Sequence, residues 1–316
     1  MKLIIQIPAW NEAEHLPEAL AALPSTVEGF DEVEVLVVDD GSDDETANIA
    51  RAAGATVVRL PIHRGLAVAF STGVRSCVER GADVIVNTDA DNQYSADDIP
   101  TLVRPILDGS AQMVIGDRQI ATLRHFSATK RLLQKLGSWV VRRLSGTTVA
   151  DATSGFRAIS REAALKLHVF TRFTYTLETI LQAGEAGLNV ASVPIRVNSG
   201  AARPSRLFDS NTGYILRSLA SMARIIVLYN PLRIFLRLGA LPVGLGSALL
   251  VRFLWFYLNG NSPAGHIQSL ILAVILIVIG ALVWLAGIIA DLIAVNRRLL
   301  EEVVERQRHQ GPSDPS

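Results

Sequence analysis

Residues 267 to 290 read IQSLILAVILIVIGALVWLAGIIA, without one charged side chain. A bilayer core asks for about 20 consecutive apolar residues in helical form, so this run is expected to cross a membrane. A second run, residues 238 to 258 (LGALPVGLGSALLVRFLWFYL), contains Pro242 and Arg252. Arg252 lies near one end, where a long side chain can carry its charge out to the interface. This run is read as a span too, with a buried hairpin helix as the alternative. Arg233 and Arg237 precede the first run, Arg297 and Arg298 follow the second, and the connecting NGNSPAGH has neither Lys nor Arg. The positive-inside bias then places both ends of the hairpin, and both termini, in the cytosol.

Before about Tyr229, charged and apolar residues mix as they do in a globular domain. The expected division is a cytosolic domain over residues 1–207, a juxtamembrane helix over 208–232, the two spans within 233–298, and a cytosolic tail over 299–316. In the juxtamembrane stretch Tyr214, Ile215, Leu219, Met222, Ile225 and Ile226 recur near helical spacing, with Arg217 and Arg224 on another side. That pattern suits a helix lying in the plane of the interface; an ordinary helix packed on the domain is the alternative. Across the whole chain 30 basic and 30 acidic residues cancel, so no basic field points to nucleic acid. The single Cys77 cannot form an internal disulfide, which suits a reducing compartment. The opening MKLIIQIPAW is interrupted by Gln6 and Pro8 and reads as a strand rather than a signal peptide.

The first two hundred residues alternate apolar, β-rich runs (LIIQI, VEVLVV, ATVVRL, DVIVNT, QMVIG) with helical segments such as EAEHLPEALAAL and GLAVAFSTGVRSCVER. Runs this apolar are buried on both faces, as in a mostly parallel sheet flanked by helices, so the fold class is α/β. Ligands of such open sheets sit beyond the carboxyl ends of the strands. Three polar clusters fall there: PAWNE after the first run, DDGSDD after the second and DADNQ after the fourth. They are expected to converge on one site. No Gly-rich dinucleotide fingerprint follows the first strand and no phosphate-cradling Gly-Lys-Ser/Thr loop is present, which argues against a dehydrogenase or a P-loop hydrolase.

Asp89, Asp91 and Gln93 fall on alternate positions just after an apolar strand. Carboxylate and amide oxygens are hard ligands suited to Mg²⁺ or Mn²⁺, and Mg²⁺ takes one or two protein carboxylates while leaving room for substrate phosphates. Asp97 and Asp98 are expected to cap the next helix. Asp40, Ser42 and Asp43 have a plainer reading as turn and helix-cap residues.

PAWNE, VVDDGSDD, NTDADNQY, GDR and DATSGFRAISR, in this order and followed by two membrane-length runs, resemble the family 2 polyprenyl-phosphate glycosyltransferases, relatives of dolichyl-phosphate mannose synthase. The resemblance implies a GT-A fold ending in an interfacial helix and a two-helix transmembrane hairpin. It implies inverting transfer of a hexose from a GDP- or UDP-sugar to polyprenyl phosphate at the cytosolic membrane face, with Mg²⁺ or Mn²⁺. It further implies that Pro8, Asn11, Glu12 and Asp39 contact the nucleoside, that Asp91 and Gln93 ligate the metal, and that Asp89 supports nucleotide or metal. Arg118 then lies near the sugar and phosphates, or makes an ordinary surface ion pair; Asp151 is a base, or holds the Ser154–Gly155 backbone. Arg157, with Arg203 and Arg206, would meet the acceptor phosphate. Many relatives carry an Arg where this chain has Gly200, so Arg203 and Arg206 are expected to take over phosphate binding. The alternatives are another lipid or a polysaccharide as acceptor, or an inactive nucleotide-sugar-binding scaffold; a homo-oligomer is left open.

Overall fold

A computed structural model describes residues 1–119, 138–139, 141–143, 145–167, 169, 175–198, 227, 231–259 and 267–309. The chain divides into two units, Met1–Leu216 with Arg308–Ser316, and Arg217–Gln307. The expected juxtamembrane helix, apart from Val227 and the first residues of the span below, lies outside the described residues, as do Gly200, Arg203 and Arg206.

In the first unit β1 (Lys2–Ala9), β2 (Glu32–Asp39), β3 (Thr56–Arg59), β4 (Val84–Asn87) and β5 (Met113–Asp117) coincide with the five apolar runs. Between them lie α1 (Leu16–Ala21), α2 (Thr46–Ala52), α3 (Leu66–Glu79) and α4 (Ile99–Leu107). Two strands are not apparent in the sequence, β6 (Arg157–Ser160) and β7 (Val190–Pro194); α5 (Arg161–Lys166) and α6 (Tyr175–Glu185) lie between them. The seven strands form one sheet in the order β3-β2-β1-β4-β6-β5-β7. All pairings are parallel except those of β6, which runs antiparallel to both β4 and β5. Leu3, Ile5, Val84, Val86, Val114 and Ala158 from the strands pack with Ile99, Leu102 and Val103 of α4 in one fully desolvated cluster. Beside it Ile7 and Val37 pack with Leu16 of α1 and Ala50 of α2.

Chain order reverses at β1, with β2 and β3 to one side and β4 to the other. A crevice forms at such a switch point because the connections leave in opposite directions. The register shows it opening. β1 pairs with β4 only from Leu3↔Val84 to Gln6↔Asn87, whereas it follows β2 as far as Ala9↔Asp39. Pro8, which has no N–H to give a ladder, falls beyond the last residue paired with β4.

The second unit holds α7 (Pro231–Leu258) and most of α8 (Ile267–His309); α7, and α8 over Ile267–Asn296, are long and apolar enough to cross a membrane. α7 contains the whole of the first apolar run, and α8 continues past the second apolar run to His309. Their backbones meet at Gly239 and Gly280. A Cβ on Gly239 would lie 2.9 Å from the carbonyl oxygen of Gly280, and one on Gly280 would lie 2.8 Å from that of Gly239. Small residues let two helices approach where lipid offers no hydrophobic drive between them. Trp284 Nε1 donates to the Leu236 carbonyl at 3.0 Å and ties the pair further.

Candidate active site

The loops after β1 and β2 are hydrogen-bonded into one wall of the crevice. Asn11 N donates to Ser42 Oγ and Asp43 N donates to Asn11 Oδ1, both at 2.9 Å, while Glu12 N donates to Thr46 Oγ1 at 2.9 Å. Asn11 holds φ +51°, a left-handed conformation that non-glycine residues seldom take unless surroundings impose it. Asp39 is fully buried; its Oδ1 accepts from Ser42 N at 2.9 Å. Its Oδ2 lies 3.2 Å from Arg59 Nε, close enough to pair in charge, yet the alignment gives no hydrogen bond. The turn role of Ser42 is thus real, but it serves Asn11 as well, and it is Asp44, not Asp43, whose carboxylate accepts from Thr46 N at the start of α2.

Asp40 points the neighbouring loop into place. Its carboxylate accepts from Arg64 N and Gly65 N, both at 2.8 Å, and lies 2.9 Å from His63 Nδ1. The His63 ring stacks on Trp10, centroids 4.0 Å apart and planes 25° from parallel. Trp10 keeps 40% of its surface exposed, which leaves an aromatic face at the carboxyl edge of the sheet. Trp10, His63 and Arg59 were not singled out in the sequence; the one signal was a large aromatic inside PAWNE.

The opposite wall is the turn after β4. Asp91 Oδ1 accepts from Gln93 N at 3.1 Å, and Asn92 between them has φ +54°. The Asp89 carboxyl is pushed up to about 6, first by burial and then by the charge of Asp91, against the opposing pull of Arg118 and a hydrogen bond from Tyr94. Two carboxylates that repel across a partly dry site are relieved by a divalent cation. Among the described residues no group of three or more His, Cys, Asp or Glu gathers around one point. Asp89, Asp91 and the Gln93 amide would offer two carboxylates and one amide, the sparse protein set that Mg²⁺ accepts when phosphates complete its shell. The residues fit the ion.

Asp89 also rests on the segment before β6. The Tyr94 hydroxyl accepts from Gly155 N at 3.1 Å, and Asn87 Nδ2 donates to Gly155 O at 2.8 Å and to the Tyr175 hydroxyl at 3.2 Å. Asn87 Oδ1 in turn accepts from Gln6 Nε2 at 2.9 Å, so a buried polar chain runs from β1 through β4 to Gly155.

Arg118, just past β5, grips Asp151 with both arms: Nε to Oδ2 at 2.6 Å and Nη2 to Oδ1 at 3.1 Å, with Nη2 also donating to Thr153 Oγ1 at 2.7 Å. Both side chains are nearly dry. Burial opposes the guanidinium charge, but Tyr94, Asp151 and Asp89 together outweigh it and hold Arg118 above the usual arginine range. The surface-pair reading of Arg118 fails on burial. A base role for Asp151 would require this pair to open, since both of its oxygens are engaged.

Arg157 corrects its expectation. It has no exposed surface, and its guanidinium donates to the carbonyls of Ala152, Ser154 and Thr176 and to Thr179 Oγ1 at 2.6–3.3 Å. All five donors are committed to protein, so this cation braces the 152–154 segment against α6 and does not meet a lipid phosphate. Asp98 is corrected likewise: it caps no helix, because its carboxylate accepts from Arg196 instead, and Asp97 lies 3.6 Å from the same guanidinium.

Residues 4–167 match the family described as glycosyl transferase family 2. The undecaprenyl-phosphate mannosyltransferase of Micrococcus luteus is 31% identical over 207 residues, covering 62% of this chain and 83% of that protein. The UDP-N-acetylglucosamine–dolichyl-phosphate N-acetylglucosaminyltransferase of Methanococcus voltae is 29% identical over 214 residues, covering 60% and 83%. Among solved structures, glucosyl-3-phosphoglycerate synthase from Mycobacterium tuberculosis in complex with phosphoglyceric acid superposes with TM-score 0.53 and 25% identity over 72% of this chain and 78% of that one. With its switch-point crevice and its acidic turn after β4, the chain belongs to glycosyl transferase family 2, is a glycosyltransferase, and has the GT-A fold.

Proposed function

We propose that this glycosyltransferase moves a hexose from a nucleoside diphosphate sugar to polyprenyl phosphate at the cytosolic face of a membrane, with inversion at the anomeric carbon. The observation that carries this reading is the meeting of the Asp89–Gln93 turn with the buried Arg118–Asp151 pair at one end of the sheet, in a chain that continues into two membrane-length helices. The names of the relatives above support the acceptor class.

A phosphate monoester has a second pKa near 6, so the acceptor arrives at neutral pH largely as a dianion and needs little help to become a nucleophile. Its difficulty is repulsion from the anionic donor. The Asp39, Asn11 and Trp10 wall would seat the nucleoside. A Mg²⁺ or Mn²⁺ ion held by Asp91 and Gln93, with Asp89 behind them, would stabilise the charge that collects on the diphosphate leaving group. Arg118, kept cationic and fixed by Asp151, lowers the repulsion and orients phosphate oxygens. Asp151 then acts through Arg118 as a positioning residue. Arg203 and Arg206 follow Asn198 by only a few residues in sequence and would offer guanidinium forks to the acceptor phosphate.

Purified full-length protein in detergent, given polyprenyl phosphate, Mn²⁺ and a panel of radiolabelled GDP-mannose, UDP-glucose and UDP-N-acetylglucosamine, should transfer label from one donor into the lipid phase. Label entering a diacylglycerol or a soluble acceptor instead would replace this acceptor assignment.

A further inference from the structure

The turn bearing Asp91 and Gln93 is held from outside itself. At its apex Asn92 sits at φ +54°, and residues 195–198 run antiparallel alongside. Ser95 N donates to Arg196 O at 3.2 Å, Asn198 N donates to Gln93 O at 2.9 Å, and Tyr94 bridges to Val197. The Asn198 side chain crosses to the apex, its Nδ2 donating to Asn92 O at 2.8 Å and facing Tyr94 O at 3.5 Å. Only the nitrogen of the amide can face two carbonyls, so the orientation of this side chain is set. Arg196 anchors the strip: its N, Nε and Nη2 all donate to the almost fully buried Asp98, at 2.6, 3.0 and 2.7 Å.

We propose that Asn198 is a positioning residue for the divalent cation, fixing the left-handed Asn92 turn so that Asp91 and Gln93 present their oxygens together, with the Arg196–Asp98 clasp bringing Asn198 to the turn. This rests on the reading of Asp91 and Gln93 as ligands. It assigns a cation-site role to a segment some hundred residues downstream of the ligands in sequence. Residues that orient metal ligands without touching the ion typically account for 10–100-fold in affinity.

The test is Mn²⁺ binding to the full-length protein in detergent without sugar donor, followed by the loss of the free-ion electron paramagnetic resonance signal. Asn198→Ala should weaken Mn²⁺ binding about tenfold or more with an unchanged melting temperature, and saturating Mn²⁺ should return kcat to the wild-type value, a recovery that a general packing defect would not show. Arg196→Ala should shift affinity in the same direction by less. If Asn198→Ala does not fold, Asn198→Ser, whose hydroxyl is too short to reach Asn92 O, gives the same reading. Affinity within twofold of wild type in a folded Asn198 variant overturns the proposal. Wild-type protein that binds no Mn²⁺, or Asp91→Ala that binds it as tightly as wild type, overturns instead the assignment of the ligands.

Discussion

The Asp89 carboxylate lies directly against Gly155: a Cβ added at Gly155 would come within 2.9 Å of Asp89 Oδ1, and within 3.0 Å of the Tyr175 hydroxyl. The acidic turn after β4 and the segment before β6, far apart in sequence, therefore share one surface, and a side chain at position 155 would force them apart. Gly155→Ala should fold, at a cost of about 1–3 kcal/mol for overpacking a dry site, and should bind Mn²⁺ more weakly because Asp89 is displaced. Thermal melting and Mn²⁺ titration check both; an unchanged value of each would mean that the contact is slack.

Arg118 and Asp151 form a nearly dry bidentate pair. Removing one partner leaves the other charge buried alone, which costs about 3–5 kcal/mol. Asp151→Asn should thus lose stability and activity together, and Arg118→Ala should do the same. Denaturant unfolding beside steady-state kinetics separates this from base catalysis, which predicts lost kcat in a protein of unchanged stability.

Cys77 has no exposed surface, and its thiol lies 3.9 Å from Gln6 Oε1. Burial pushes the thiol up to about 12, from an ordinary value of 9.0. The native state holds the proton more tightly than the unfolded chain, so this group contributes stability that is fully present below pH about 9 and is lost as pH rises toward about 12. Iodoacetamide at pH 8 should label the unfolded protein and leave the native one untouched. Cys77→Ser should flatten the fall in stability over that alkaline window; an equal fall in both proteins would assign it to other groups.

Arg203 and Arg206 lie outside the described residues, yet their place in the chain after Asn198 makes a kinetic expectation. Replacing both with Ala should raise the KM for polyprenyl phosphate and leave donor binding nearly unchanged, since Asp39, Asp91 and Gln93 remain. Separate titration of donor and lipid distinguishes this from a bland surface role, for which both constants stay at wild type.

β1, β4 and β5 were legible because they are buried on both faces and so read as apolar runs, and β2 and β3 because of their valines, although β3 at the sheet edge is only partly buried. β6 was not: it spans four residues and opens on Arg157, a residue whose charge suggested a ligand and whose burial is made tolerable only by carbonyls that tertiary structure supplies. β7 is only partly buried along its length and exposed at Pro194, and lacks the contrast that marks a strand. Spacing placed Asp89, Asp91 and Gln93 together, because all three belong to one turn. The Asp40–His63–Trp10 contact and the Asn198–Asn92 bond escaped notice, because they join loops that only the sheet order brings side by side. Asp98 misled for the same reason: its sequence position fits a cap, and its partner Arg196 lies 98 residues away.

Cation-dependent transfer of a hexose to polyprenyl phosphate is tested most directly by counting label that enters the lipid phase from the accepted nucleotide sugar, with wild type and Asp91→Ala side by side, each with Mn²⁺ and with excess chelator. The expected result is transfer by wild type that chelator abolishes and Mn²⁺ restores, and transfer by a normally folded Asp91→Ala reduced more than tenfold, at least about 1.4 kcal/mol of lost transition-state stabilisation. Lipid labelling that survives chelation, or an Asp91→Ala variant within tenfold of wild type, would contradict it.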